Sequence, residues 1–228
     1  MLLDDLFPEE VVVSTLDEGS VPPPLFPGEL EAVARAVLAR REEFARGRAC
    51  ARAAIARLGL PAGPILVNER RAPIWPDGVV GSITHCRGLV AVAACRKGRI
   101  LGLGLDAEPF EPVETEVARL VWSAAECRRA VETTGLEEHL AAKLVFSAKE
   151  TVHKCIEPLT GETLDFLDVE LVLDPHACTF AARPVSTRSS TLPQLARIAG
   201  RFRISRTHIV TAGVVQRDPG TGPGAHST

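Results

Sequence analysis

Apolar positions at Leu30, Val33, Val37, Leu38, Phe44, Ile55 and Leu58 recur with helical spacing, and alanines fill much of the remainder. The spacing predicts a helix over about 29–58, with Gly47 as a bend or a break between two helices and Gly59, before Pro61, as its stop. Ahead of it, Pro22, Pro23, Pro24 and Pro27 make a stiff loop, and residues 1–19 carry apolar runs suited to a packed arm or an edge strand. After a connector with Pro61, Pro64, Pro73 and Pro76, two short strands are predicted over 79–85 and 89–96, the second carrying the apolar run Leu89 to Cys95. A Lys97-Gly98 turn leads into a third strand ending at Asp106, where Leu101, Leu103 and Leu105 alternate with glycines as on a strand with one buried face. Helical spacing returns over 113–156, with Ser123 as N-cap of 124–131 and a longer helix from 137 to 156. Strand-like runs follow at 166–173, 179–182, 201–205 and 208–215, and the Gly/Pro/Ser/Thr-rich residues 218–228 read as a disordered tail. The fold class is α+β, with two helix-plus-strand halves meeting near 106–112.

Charge changes this picture only locally. A net charge of −3 over 228 residues argues against generic nucleic-acid binding. Its distribution is uneven, because residues 35–57 hold seven arginines against Glu42 and Glu43 while 108–138 hold eight glutamates against three arginines. Such a dipolar surface suits an anionic ligand near one end. The six cysteines form no C-x-x-C pair, the acidic N-terminus does not resemble a signal peptide, and no apolar run reaches membrane-spanning length. The thiols therefore read as reduced residues of a cytoplasmic protein, with no disulfide, zinc or membrane contact expected.

Asp106 and Glu108 fall two apart on the third strand, so both carboxylates leave the same side of the sheet. Such a pair is either solvated or held together by a hard divalent cation, Mg²⁺ above all. On the long helix Lys143, Phe146, Ser147, Glu150, His153 and Lys154 share one face, which brings a third carboxylate with a lysine one turn on. Only four of the 26 basic residues are lysines, yet Lys143, Lys149 and Lys154 crowd into twelve residues. A compact, titratable amine is useful where an arginine fork is not. Gly81-Ser82-Ile83-Thr84-His85 offers a phosphate-contact segment, although His85 alone reads equally as a hydrogen-bonded core residue. Arg40, Phe44, Arg48 and Arg52 form a stripe at i+4 intervals, either a solvated basic face or a set of forks for a phosphate.

Taken in order, Arg40-x-x-Glu43-Phe44-x-x-Gly47-Arg48, Pro73-Ile74-Trp75-Pro76-Asp77-Gly78 running into Ser82-Ile83-Thr84-His85, Gly104-Leu105-Asp106-Ala107-Glu108 and Phe146-Ser147-Ala148-Lys149-Glu150 with Lys154 closely resemble the 4′-phosphopantetheinyl transferases of the surfactin/enterobactin-synthetase type, in particular the actinobacterial branch. The resemblance spans roughly 40–160. It implies a monomer of two similar α/β halves related by a pseudo-twofold axis, 1–108 and 109–217, with coenzyme A between them. It further implies transfer of phosphopantetheine from coenzyme A to a serine of an acyl- or peptidyl-carrier protein, with release of adenosine 3′,5′-bisphosphate.

Carried over residue by residue, the resemblance implies that Asp106, Glu108 and Glu150 hold Mg²⁺, with Mn²⁺ as an alternative. Glu150 becomes the general base, and Lys154, assisted by Lys149, neutralises the leaving phosphate. Thr84 and His85 touch phosphate, Arg40 and Arg48 bind the 3′-phosphate, and Arg70 is the nucleotide-side candidate. Ala107 between the acids cannot ligate, so water completes the metal shell. The segment 109–129, directly after the acids, is the expected carrier-docking surface. The competing readings are another Mg²⁺-dependent nucleotide transferase and a non-catalytic module that binds coenzyme A or carrier.

Overall fold

A computed structural model describes residues 2–16 and 19–217. Strand β1 (Val12–Thr15) is followed by a short helix α1 (Pro27–Ala32) and the long α2 (Leu38–Arg57). A meander of β2 (Val79–Cys86), β3 (Leu89–Arg96) and β4 (Ile100–Pro109) comes next. Three helices follow, α3 (Thr115–Val121), α4 (Ala124–Thr134) and α5 (Glu138–Thr160). The chain then runs through β5 (Val169–Asp174), β6 (Thr179–Pro184), a single helical turn α6 (Thr187–Ser190), β7 (Ile198–Ile204) and β8 (His208–Gln216). Two antiparallel sheets result, ordered β1-β3-β2 and β4-β8-β7-β6-β5. Helix α2 lies on the first and α5 on the second, so the chain is α+β as its periodicity predicts.

Helix boundaries depart from the sequence reading in two places. The break falls at 33–37, ahead of Leu38, while α2 runs unbroken through Gly47. Ala34, Arg35 and Ala36 are helix formers and signal no stop. Gly47 instead serves close packing, because a Cβ there would come within 3.2 Å of Ile83 on β2. Helix α5 reaches Thr160 rather than Ile156, taking Pro158 into its last turn and ending at Gly161 in the left-handed conformation. Ser123 does cap α4, accepting from the Glu126 amide at 3.2 Å. Residues 166–168 form a 3₁₀ turn ahead of β5 rather than its first residues. The tail 218–228 lies outside the described residues.

Strand β4 is buried on both faces, not one. Its leucine face meets Leu3 and Leu6 of the N-terminal arm, which packs across β3, β4 and β8. Its glycine face lies under α5, where a Cβ on Gly102 would stand 2.6 Å from the Cys155 carbonyl and one on Gly104 2.2 Å from that of Thr151. The glycines thus let helix backbone and strand backbone meet. On its outer edge β4 abuts β2 without a backbone ladder. There the Ser82 hydroxyl accepts from the Leu105 amide and the Thr84 hydroxyl from the Ala107 amide, each at 3.0 Å. Two hydroxyls on β2 thereby satisfy amides that would otherwise be buried without partners, and they join the two sheets at the strand that carries the acids.

Candidate active site

Asp106 and Glu108 leave the glycine face of β4 and meet α5. Lys154 Nζ donates to Asp106 Oδ1 at 2.7 Å and to the Leu105 carbonyl at 3.1 Å. Lys143 Nζ donates to Glu108 Oε2 at 3.2 Å. Glu150 sits between the two lysines on the same helix face, half-buried and without a direct hydrogen bond among the described residues. Burial, reinforced by the charge of Asp106, pushes the Glu108 carboxyl above the usual carboxylate range. Burial likewise raises Glu150, with Lys154 opposing and Asp106 and Glu108 adding to the shift. The three carboxylates therefore feel one another's field, and the two ammonium groups only partly balance it.

A cation fits this donor set. Asp106 Oδ2 is buried and has no hydrogen-bond partner, an expensive state for a carboxylate oxygen. Hard oxygen donors and excess negative charge are the chemistry that Mg²⁺ or Mn²⁺ selects. Among the described residues no three carboxylate, imidazole or thiol side chains are gathered closely enough to hold a metal ion as they stand, so the acids are separate donors that water or substrate oxygens would supplement.

A cleft of about 870 Å³ opens beside these groups. One wall is the loop around Arg70 and Trp75, the other is the part of α5 that presents Glu150, His153 and Lys154, and β2 and β4 form the floor. Trp75 packs closely on β2 because Gly81 has no Cβ; one added there would reach its ring at 2.5 Å. Arg70 hydrogen-bonds the Gly161 carbonyl and stands 3.8 Å from Glu157, spanning the cleft from the loop to the end of α5. The site thus draws on both halves of the chain.

Arg40 and His85 come together as the sequence motifs suggest, with Arg40 Nη1 2.6 Å from His85 Nε2. Glu43 accepts from Arg40 at 3.2 Å. Burial lowers the His85 pKa, Glu43 opposes that, and Arg40 and Lys154 add to it, so a neutral ring accepts from the guanidinium. Arg48 is buried deeper, its Nε donating to the Ile65 carbonyl at 2.7 Å and its Cζ over the Phe44 ring, 4.0 Å from the centroid. Arg52 breaks the arginine stripe, since it pairs with fully buried Glu29, which also accepts from the amides of Phe26 and Ile65.

Two sequence expectations require correction. Lys149 does not face the cleft. It is 1% exposed, and its ammonium donates to Glu126 Oε2 and to the carbonyls of Val121 and Phe166, using all three hydrogens. One residue before Glu150 on a helix lies about 100° away, so the two side chains leave different faces. Thr84 is also unavailable to phosphate. It is buried, and its hydroxyl is committed to the Ala107 amide with Asp106 Oδ1 at 3.5 Å. Conversely, the pairings Lys143–Glu108 and Arg40–Glu43 were not drawn from sequence. Lys143 lies seven residues before Glu150, so helical spacing placed it on the right face but not against Glu108.

Comparison with known proteins matches the amino-acid sequence to one group. Residues 28–95 match the 4′-phosphopantetheinyl transferase N-terminal domain, and residues 102–201 match the 4′-phosphopantetheinyl transferase superfamily. The chain is 50% identical over 161 residues to 4′-phosphopantetheinyl transferase Svp of Streptomyces mobaraensis, covering 70% of this chain and 65% of that protein. It is 36% identical over 203 residues to PptT of Mycobacterium tuberculosis, 86% of this chain and 89% of the relative. Npt of Nocardia iowensis is 38% identical over 196 residues, 82% and 87% of the respective chains.

Proposed function

The chain belongs to the 4′-phosphopantetheinyl transferase family, and from that premise we propose that it moves phosphopantetheine from coenzyme A to a serine of an acyl- or peptidyl-carrier protein, releasing adenosine 3′,5′-bisphosphate. The observation that carries this reading is the Asp106–Lys154 pair beside Glu150, an acid-and-ammonium cluster at the edge of a cleft built from both halves. In this assignment Asp106, Glu108 and Glu150 hold Mg²⁺ or Mn²⁺. When bound, the cation supplies Lewis-acid neutralisation of the pyrophosphate oxygens.

The chain's own residues do the rest. Phosphoryl transfer depends chiefly on positioning and on electrostatic stabilisation of the phosphate oxygens. The serine Oγ–P bond forms as the bond from the pantetheine-side phosphorus to the bridging oxygen breaks, and the serine proton passes to Glu150. Lys154 neutralises charge on the departing phosphate from a place already fixed against Asp106. Arg40 and His85, with Arg48 behind them, take the 3′-phosphate, and Arg70 takes the nucleotide side of the cleft.

The first half, 1–108, contributes the phosphate contacts and the first acids, and the second, 109–217, the catalytic helix. One long helix lies over each antiparallel sheet, α2 over β1-β3-β2 and α5 over the sheet that β4, the last strand of the first half, edges, and this supports the pseudo-twofold relation. The carrier docks on 109–129, where α3 exposes Val117 and Leu120. We place the enzyme in the cytoplasm as a monomer, beside its carriers, away from nucleic acid and membrane. A net charge of −3 supports the separation from nucleic acid. No helix among the described residues is long and apolar enough to cross a membrane.

Intact-mass spectrometry of an apo carrier incubated with the protein, coenzyme A and Mg²⁺ tests the proposal. The expected result is a chelator-sensitive gain of roughly 340 Da, as metal-assisted transfer requires. Coenzyme A bound without any gain, across several acyl- and peptidyl-carriers, would instead identify a binding module.

A further inference from the structure

Thr211 on β8 takes no part in the chemistry above, yet it stands directly opposite Asp106 in the β4–β8 ladder. Paired residues in an antiparallel ladder leave the same face of the sheet, so Thr211 shares the face that carries the acids. It is fully buried, as are Ser147 and Thr151 on α5 above it. The Thr211 hydroxyl donates to the Ser147 carbonyl at 2.8 Å. Its oxygen lies 2.9 Å from the Ser147 hydroxyl and 2.7 Å from the Thr151 hydroxyl, and so accepts from both. The Thr151 hydroxyl is also 3.1 Å from the Thr211 carbonyl. One hydroxyl group thereby ties two successive turns of α5 to one point on β8.

That point matters because of what else lies on the stripe. Ser147, Glu150, Thr151 and Lys154 follow one another at i, i+3, i+4 and i+7, so the turns pinned to β8 are the turns that present the base and the phosphate lysine. Elsewhere Gly102, Gly104 and Gly213 let α5 settle closely onto β4 and β8. Besides the hydroxyl cluster, the bonds that fix its position along the strands come from the long, flexible side chains of Lys143 and Lys154 to Glu108, Asp106 and the Leu105 carbonyl. A flat contact sets the separation of helix and strand; directional hydrogen bonds set their register. Stability alone does not call for three hydroxyls here, since apolar groups of the same shape can replace mutually bonded polar partners at little cost.

We propose that Thr211 is a positioning residue which, through Ser147 and Thr151, fixes the register of α5 on β4 and β8 and with it the placement of Glu150 and Lys154 against Asp106. The inference rests on the transferase reading and assigns a residue that the motifs leave out.

The test compares Thr211→Val, Thr211→Ser and a core control in the first half, Ile55→Val, in the full chain. Steady-state kinetics are read beside calorimetric coenzyme A binding with and without Mg²⁺. In Thr211→Val, kcat is expected to fall about 10- to 100-fold, the scale of a misplacement near 1 Å, with KM for coenzyme A within about 2-fold of wild type. Thr211→Ser keeps the hydroxyl and stays within about 3-fold of wild-type kcat, as does Ile55→Val. Coenzyme A affinity without Mg²⁺ is unchanged in Thr211→Val, and the increment that Mg²⁺ adds is smaller than in wild type. Wild-type kcat in Thr211→Val, or an equal loss of kcat and binding in both Thr211 variants, overturns the positioning role. If Thr211→Val does not fold, Ser147→Ala carries the test: a smaller fall in kcat at constant KM supports the role, and an unchanged kcat overturns it. Absence of transfer by the wild-type protein would sink the transferase reading instead, an outcome the parallel wild-type assay separates.

Discussion

Lys154 Nζ stands 2.7 Å from Asp106 Oδ1, joining the C-terminal part of α5 to the strand at which the two sheets meet. Lys154 is partly exposed and Asp106 is buried, so the pair leaves its ammonium toward the cleft and its carboxylate toward the seam. Asp106→Asn and Lys154→Ala should each lower kcat by about 10²- to 10³-fold, the usual scale for removing one charge-stabilising group. Progress curves at millimolar Mg²⁺ check this. Full activity in either variant would remove that residue from the assignment.

The glycine face of β4 predicts a steric effect on the same contact. Gly104→Ala would place a methyl 2.2 Å from the Thr151 carbonyl, so α5 has to move outward. A loss of about 1–3 kcal/mol is expected from overpacking, together with a fall in kcat. Gly98→Ala, in open space, should change neither. Urea unfolding followed by kinetics on the folded fraction separates the two effects.

The buried Lys149–Glu126 pair holds the ends of α3 and α4 against α5. Its full hydrogen bonding extends to the Leu171 amide, which Glu126 Oε1 receives at 2.8 Å. Removing one partner, as in Lys149→Met, should cost about 3–5 kcal/mol by leaving the other charge buried alone. Lys149→Met combined with Glu126→Leu should cost less than the sum of the single changes. A thermodynamic cycle measured by denaturant unfolding tests this; additive losses would mean that the two charges are not coupled.

Glu150 supplies a pH prediction with a definite sign. Its folded pKa is raised by burial, so the native state holds the proton to higher pH than the unfolded chain does. Ionising Glu150 therefore reduces stability as pH rises from the unfolded pKa through the folded one. In chelator-treated protein, Glu150→Gln should raise the melting temperature at neutral pH, and the gain should vanish in acid where both side chains are uncharged. The same variant should lose transfer. A Glu150→Gln protein no more stable than wild type at pH 7 would show that the site does not penalise this charge.

Leu120 is 68% exposed on α3, close to the acids in sequence and outside the cleft lining. Leu120→Glu should raise KM for the carrier about 10- to 100-fold and leave KM for coenzyme A unchanged, since one buried leucine contact is worth about 1.5–3 kcal/mol. An unchanged carrier KM places docking elsewhere.

Much of the site was legible in the chain because its chemistry follows short-range periodicities. Two residues along a strand place Asp106 and Glu108 on one side, and four along a helix place Glu150 and Lys154 on one face. The strands, the helices and the α+β class followed from the same periods. Local spacing says nothing, however, about which face meets what. Lys149 sits among motif residues in sequence, yet the helix turns it inward to Glu126; Thr84 neighbours His85, yet it spends its hydroxyl on the Ala107 amide.

Those outcomes come from packing, because burial assigns partners across distances that no local period records. Gly102 and Gly104 read as a weakened strand until α5 is laid on them, and Thr211 reads as an ordinary strand residue until it stands opposite Asp106 beneath Ser147 and Thr151. The chain alone carried the family, the α+β class and the spacings that set Asp106 beside Glu108 and Glu150 beside Lys154. The fold determined which hydroxyls, ammonium groups and arginines are consumed in holding them: a buried polar group must be satisfied by whatever packing brings within reach.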